Sequence, residues 1–132
     1  VTGLPERLTN GLSTFDRLAG SLRDSRQRVS EMFPLAAGTL QSLSSARDDA
    51  LFAFLKRFEL FADTLLRRVL RPVLEFARED VAEMSNLDVF YRLETLGGIE
   101  DADRLSQIIA LRNRLTHESP MSEDERATRI NA

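Results

Sequence analysis

Leu8, Leu12, Phe15, Ala19, Leu22, Val29 and Phe33 recur at steps of three, four and seven residues. A strand cannot gather that spacing on one face, and an α-helix does. The start of the chain therefore reads as one long amphipathic helix, and the rest must cover its apolar stripe. Gly11 and Gly20 weaken it slightly. Pro34 through Gly38 end it. Leu51, Phe54, Leu55, Phe58, Ala62, Leu65 and Val69 form a second helical stripe, and Phe52, Leu60, Leu66, Leu70 and Leu74 widen it beyond one packing face. Such a helix either lies in the middle of a bundle or also meets a second subunit. Pro72 falls inside this pattern and predicts a kink, with the helix resuming afterwards.

Ser85 and Asn86 are capping residues ahead of LDVFYRLETL, and Gly97 with Gly98 supplies the positive φ that closes this short third helix. A fourth helix is expected from about Asp101 to Thr116, with Asp101 and Asp103 complementing its N-terminal dipole. Beyond Pro120, Ser122 and Glu125 make a capping box for a fifth helix that the chain end truncates. No repeat, low-complexity tract or linker interrupts the series. The expectation is a single domain over residues 1–132, all-α, an up-and-down bundle of four to five helices crossing near about +20°. Six Gly and four Pro in 132 residues, with 42% hydrophobic and 30% charged residues, agree with a helix-forming globular chain.

The absence of Cys excludes a disulfide framework, a thiolate nucleophile and Cys-based metal sites, and a lone His excludes a multi-His metal centre. No cofactor is implied. The apolar run from Leu51 to Leu55 is far shorter than a membrane span and nothing resembles a signal peptide, which points to a cytoplasmic protein without a membrane partner. A start at Val1 and a stop inside a helical pattern predict the ordered part of something slightly longer. The net charge of −3 argues against coating a nucleic acid through a broad basic surface, so any phosphate contact must be local.

On the fourth helix Leu105, Ile108, Ile109 and Leu115 share one side, with Arg112 among them. A guanidinium there costs desolvation unless it snorkels to the edge, pairs with a bundle carboxylate or lines a polar cleft. His117, the only His, comes where the helix is ending and reads as a surface or capping residue or as a catalyst. Asn113 lies one turn before His117 and can share its face.

The combined string LRNRLTHE, Leu111 to Glu118, resembles the Arg-Asn-x3-His signature of the HEPN family. The preceding DVFYRLETLGGIEDADRLSQIIA is similar to the short helix, glycine turn and start of the motif helix in that family, so the likeness covers the last third of the chain. The resemblance implies a compact helical bundle that dimerises with its motif helices facing across a cleft. It also implies a metal-independent endoribonuclease, often a toxin neutralised by a nucleotidyltransferase antitoxin. Arg112 and His117 match the two signature residues and Asn113 their polar companion. The family's frequent His-x-Tyr is here His117, Glu118 and Ser119, so the tyrosine that a partner nucleotidyltransferase modifies in some members is missing.

Metal-free RNA cleavage needs an acid or base near neutrality, which His supplies, and a cation for the charge building on the phosphorane. Arg112 suits the latter, because its planar fork binds phosphate oxygens and keeps its proton. Asn113 would orient the phosphate or fix an imidazole tautomer. The nucleophile would be the 2′-hydroxyl of a single-stranded RNA substrate, leaving DNA inert. The expected assembly is a homodimer. Two other readings compete: a non-catalytic subunit that binds a nucleotide or nucleotidyltransferase, and a scaffold in which Arg112 pairs with an internal carboxylate and His117 points into solvent.

Overall fold

In the computed structural model, residues 3–35, 42–117, 127–128 and 130–132 are described, without the side chains of Thr116 and His117. The long first helix, α1 (Leu4–Arg28), begins with Pro in its first turn, where no backbone donor is missed. It is shorter than its apolar stripe suggests. A 3₁₀ turn, Ser30–Met32, takes over after Val29, so Val29 and Met32 point inward while Phe33 lies outside the helix. The second helix, α2 (Ser45–Thr64), starts on Ser44, whose hydroxyl accepts from the Arg47 N–H.

Pro72 does not break the rod. α2 runs straight into a π segment, Leu65–Leu70, and then into α3 (Arg71–Phe76), with Leu65, Leu70 and Arg71 all in the right-handed helical region. The missing Pro72 donor is accommodated by a widened turn just before it, and the helix resumes after Pro72 as expected. Arg68, four residues earlier, carries the carbonyl that an α-helical N–H at position 72 would have bonded. Against that carbonyl sits the buried Gly11 of α1, and a Cβ at Gly11 would collide with it. The glycine that weakens α1 in isolation is thus what lets α1 lie directly on the π segment. One turn further along, Phe15 stacks on Phe61 of α2 with ring centroids 4.8 Å apart.

α4 (Asn86–Thr95) has a full capping box between Ser85 and Asp88, and Gly97 closes it at φ 82°. α5 (Ala102–His117) follows. Ala127, Thr128, Ile130 and Asn131 are also helical, while Pro120 and the expected capping box at Ser122 and Glu125 lie outside the described residues.

The fold is an all-α bundle, with no strand among the described residues and no helix among them long and apolar enough to cross a membrane. α2 occupies the middle, packed on α1 and α5. Of the residues that widen its stripe, Leu70 and Leu74 are buried, whereas Phe52 and Leu60 remain 62% and 53% exposed. Two cores form. One gathers Ala62, Leu70, Leu74, Phe90, Leu93 and Ile109. The other gathers Val29, Met32, Leu35, Leu51, Ala127 and Ile130, and Asn131 fastens it by accepting from the Leu35 N–H at 2.6 Å and donating to the Leu35 carbonyl at 2.8 Å.

Candidate functional site

α5 carries the motif, and α4 fixes where α5 begins. Asp101 accepts from the Arg104 N–H at 2.9 Å, and Glu94 reaches over from α4 to accept from the Ala102 N–H at 2.6 Å. Two otherwise orphaned donors of the helix are thereby satisfied by carboxylates, which also suit the positive end of its dipole. Tyr91 of α4, one turn before Glu94, donates its hydroxyl to Asp103 of α5 at 2.6 Å. The hydrogen bond to Asp103, and the charge of that carboxylate, push the Tyr91 hydroxyl above its ordinary value. Tyr91 is the only tyrosine in a chain without tryptophan. Alkaline titration followed by phenolate absorbance should therefore give one clean midpoint above that of free tyrosine, lowered by Asp103→Ala. An unshifted midpoint would mean that the α4–α5 link is not formed in solution.

Arg112 lies where its position on the apolar stripe required a partner, and the partner is acidic. Its Nη2 sits between the two carboxylate oxygens of Asp63, at 2.8 and 2.9 Å, with Glu59 Oε1 at 3.8 Å. Lys56 approaches the other oxygen of Glu59 at 3.5 Å, so Lys56, Glu59, Arg112 and Asp63 form a row of alternating charge between α2 and α5. The Arg112 side chain is 12% exposed, while Asp63 and Glu59 are 36% and 27% exposed. The pair therefore stands at the rim of the bundle, with its carboxylate side in water, and each partner keeps part of its solvation.

Asn113 is exposed and its Oδ1 accepts from Arg112 Nη1 at 3.2 Å. Arg112 and Asn113 are thus brought together. His117 is the last residue of α5, and its side chain lies outside the described residues. A five-residue step turns through about 140° at about 100° per residue, so the backbone registers Arg112 and His117 on different sides of α5. Beside Arg112, Ile108, Leu111 and Leu115 face Phe54 and Phe58 across a pocket of about 290 Å³.

Compared with family models, with curated proteins and with solved structures, the chain matches none.

The motif residues stand out in the sequence, but Asp63 and Glu59 do not. A bundle carboxylate was one of the partners open to Arg112, and two are found, Asp63 and Glu59. Their one local signal is the i, i+4 acidic pair interrupting an apolar stretch of α2, which says that something basic is opposite without saying what. No group of three or more His, Asp or Glu side chains that could hold a metal ion occurs among the described residues.

Proposed function

We propose that the chain is a metal-independent endoribonuclease of the HEPN type that acts on single-stranded RNA as a homodimer, with Arg112 and His117 as catalytic residues and Asn113 as their polar companion. The observation that carries this reading is the string LRNRLTH, Leu111 to His117, on the last turns of α5, with its arginine at the bundle rim instead of sealed in the core. Asp63 and Glu59 hold the guanidinium in place, which lowers the ordering cost of meeting a phosphate. His117 supplies the acid or base, and the RNA supplies its own 2′-hydroxyl as nucleophile.

The homodimer is supported by the outer face of α2. Phe52 and Leu60 are exposed on the same side as Glu59 and Asp63, so apolar surface flanks the Arg112 pair where a second motif helix would pack. A partner copy would also answer the divergence of Arg112 and His117 around α5, since each arginine could then face the other chain's histidine across a shared cleft. By resemblance, the biological setting is a toxin with a nucleotidyltransferase antitoxin.

A second reading, a non-catalytic bundle, either the scaffold expected to pair Arg112 with a carboxylate or a subunit that binds a nucleotide or a nucleotidyltransferase, is favoured by the ion pair itself. Two carboxylates already neutralise Arg112, so an incoming phosphate must compete with them. The two readings part on one measurement. The purified protein, scattering light as twice the chain mass, should cut single-stranded RNA in excess EDTA and leave the corresponding DNA intact. RNA that survives intact, with contaminating nucleases excluded, transfers the assignment to the non-catalytic bundle. Cleavage that vanishes on chelation and returns with magnesium would overturn the metal-free chemistry.

A further inference from the structure

A concentration of positive charge without ion-pair partners lies away from the motif, where α1 crosses the π segment. Arg7 and Asn10 of α1 and Arg67, Arg68 and Pro72 of the π segment and α3 line one concavity of about 390 Å³. All three arginines and Asn10 are exposed. The ion pairs of the described residues are made by Lys56, Arg92 and Arg112, and none reaches Arg7, Arg67 or Arg68. In a chain of net charge −3, three guanidinium groups gathered from two elements without a carboxylate partner repel one another. An anion would relieve that repulsion.

The backbone explains how they are gathered. A π turn bonds i to i+5, which is wider than an α turn, so consecutive residues are separated by less than the about 100° of an α-helix. Arg67 and Arg68 can then both face α1. Gly11, one residue past Asn10, brings α1 against the Arg68 carbonyl, and Thr14, one turn further, accepts from Arg68 Nη1 at 3.3 Å and holds that side chain. Close helix contact, the π segment and the arginine cluster are therefore one construction.

The geometry points to this concavity as a second phosphate-binding site, one that holds the backbone of a single-stranded RNA away from the motif. Guanidinium forks and an amide suit phosphate oxygens, and phosphate contacts position a strand without reading its bases. An acidic protein surface fits less well, because Pro72 is the lone apolar residue of the lining and a protein interface needs apolar anchors at its centre. The site also lies on a track to the motif, since Arg67 follows one turn after Asp63, the partner of Arg112. A strand spanning both would have one phosphate at the reacting centre and others on the arginines. The inference rests on the ribonuclease reading for the choice of RNA.

The test is equilibrium binding of a fluorescently labelled single-stranded RNA to the His117→Ala protein, which leaves the strand uncut, with and without Arg7→Ala and Arg67→Ala. The double substitution should weaken binding about 10-fold or more at low salt and reduce the slope of log affinity against log salt by about 1.4, from about 0.7 per lost contact on a single strand. Arg7→Lys with Arg67→Lys should keep most of that slope, and melting curves of all variants should coincide, so misfolding cannot mimic the result. Unchanged affinity and slope in the alanine variant overturn the site. So does displacement of the RNA by inorganic phosphate at matched phosphate concentration, which marks a free-phosphate site, or by an acidic peptide at matched charge. Wild-type cleavage is measured separately: binding through the arginines without cleavage removes the ribonuclease reading and keeps the site, and cleavage without a role for the arginines does the reverse.

Discussion

His117→Ala is expected to lower the rate of single-stranded RNA cleavage by at least about 10²-fold, the usual size of a lost acid–base contribution, and Arg112→Ala by a similar factor through lost electrostatic stabilisation. The two substitutions differ in what they do to folding. His117 ends α5, so its loss should leave the melting temperature nearly unchanged. Arg112 is bound to Asp63 at 2.8 Å with Glu59 nearby, so its removal no longer relieves an unpaired charge on an apolar stripe, as the sequence by itself would suggest. It strands two carboxylates. Breaking a fully buried pair costs about 3–5 kcal/mol, but both carboxylates here keep contact with water, so about 1–2 kcal/mol is expected. A loss in the upper range with cleavage intact would identify Arg112 as a structural strut. Wild-type cleavage by the His117→Ala protein would remove the ribonuclease assignment altogether. Ser119→Ala should be nearly silent, because a short hydroxyl cannot reach where the family's tyrosine would.

Gly11→Ala should be the most damaging single methyl group that can be added to the bundle. In an isolated helix the change would stabilise by about 0.5–1 kcal/mol, because alanine is the better helix former. Here the new Cβ meets the Arg68 carbonyl, a backbone atom that cannot swing aside, and α1 must lift off the π segment. The expected outcome is a loss of about 2–4 kcal/mol, in the range of overpacked cores and strained backbone. For a chain of this length that lowers the melting temperature by on the order of 10 °C. Gly20→Ala is the internal control: nothing lies within 4 Å of the position its Cβ would take, so the same substitution should be neutral or stabilising there. Equal effects at the two glycines would mean that α1 does not seat on the π segment as described.

What could be read from the sequence divides along local and non-local lines. Ser85 with Asp88, Gly97 at φ 82° and the acidic start of α5 are legible because a cap or a glycine turn is specified by residues a few positions apart. The apolar stripes are legible because periodicity is local too. At Pro72 the resumed helix is legible, but the π segment before it is not, because that segment packs against Gly11 through the Arg68 carbonyl only after α1 has docked. The early end of α1 has a similar origin, since the 3₁₀ turn carries Val29 and Met32 into a core completed by Ala127 and Ile130. At the candidate site, Arg112 is conspicuous by its place among leucines and isoleucines. Asp63, 49 residues away, becomes its neighbour through topology alone. Arg7 likewise reads as one more surface arginine until the crossing of α1 sets it beside Arg67 and Arg68.

The division into two cores makes α2 and α5 the beams that join them. Ala62 and Ile109 belong to one core, whereas Leu51 belongs to the other and Leu115 packs against it. On α5, Arg112 lies between Ile109 and Leu115, and it pairs with Asp63, next to Ala62 on α2. An anion that draws the guanidinium away from Asp63 would therefore loosen a fastening between the two helices that join the cores as well as occupy a charge. Ligand occupancy and the rigidity of the whole bundle would then be thermodynamically linked, with amide exchange around each core reporting the state of the other.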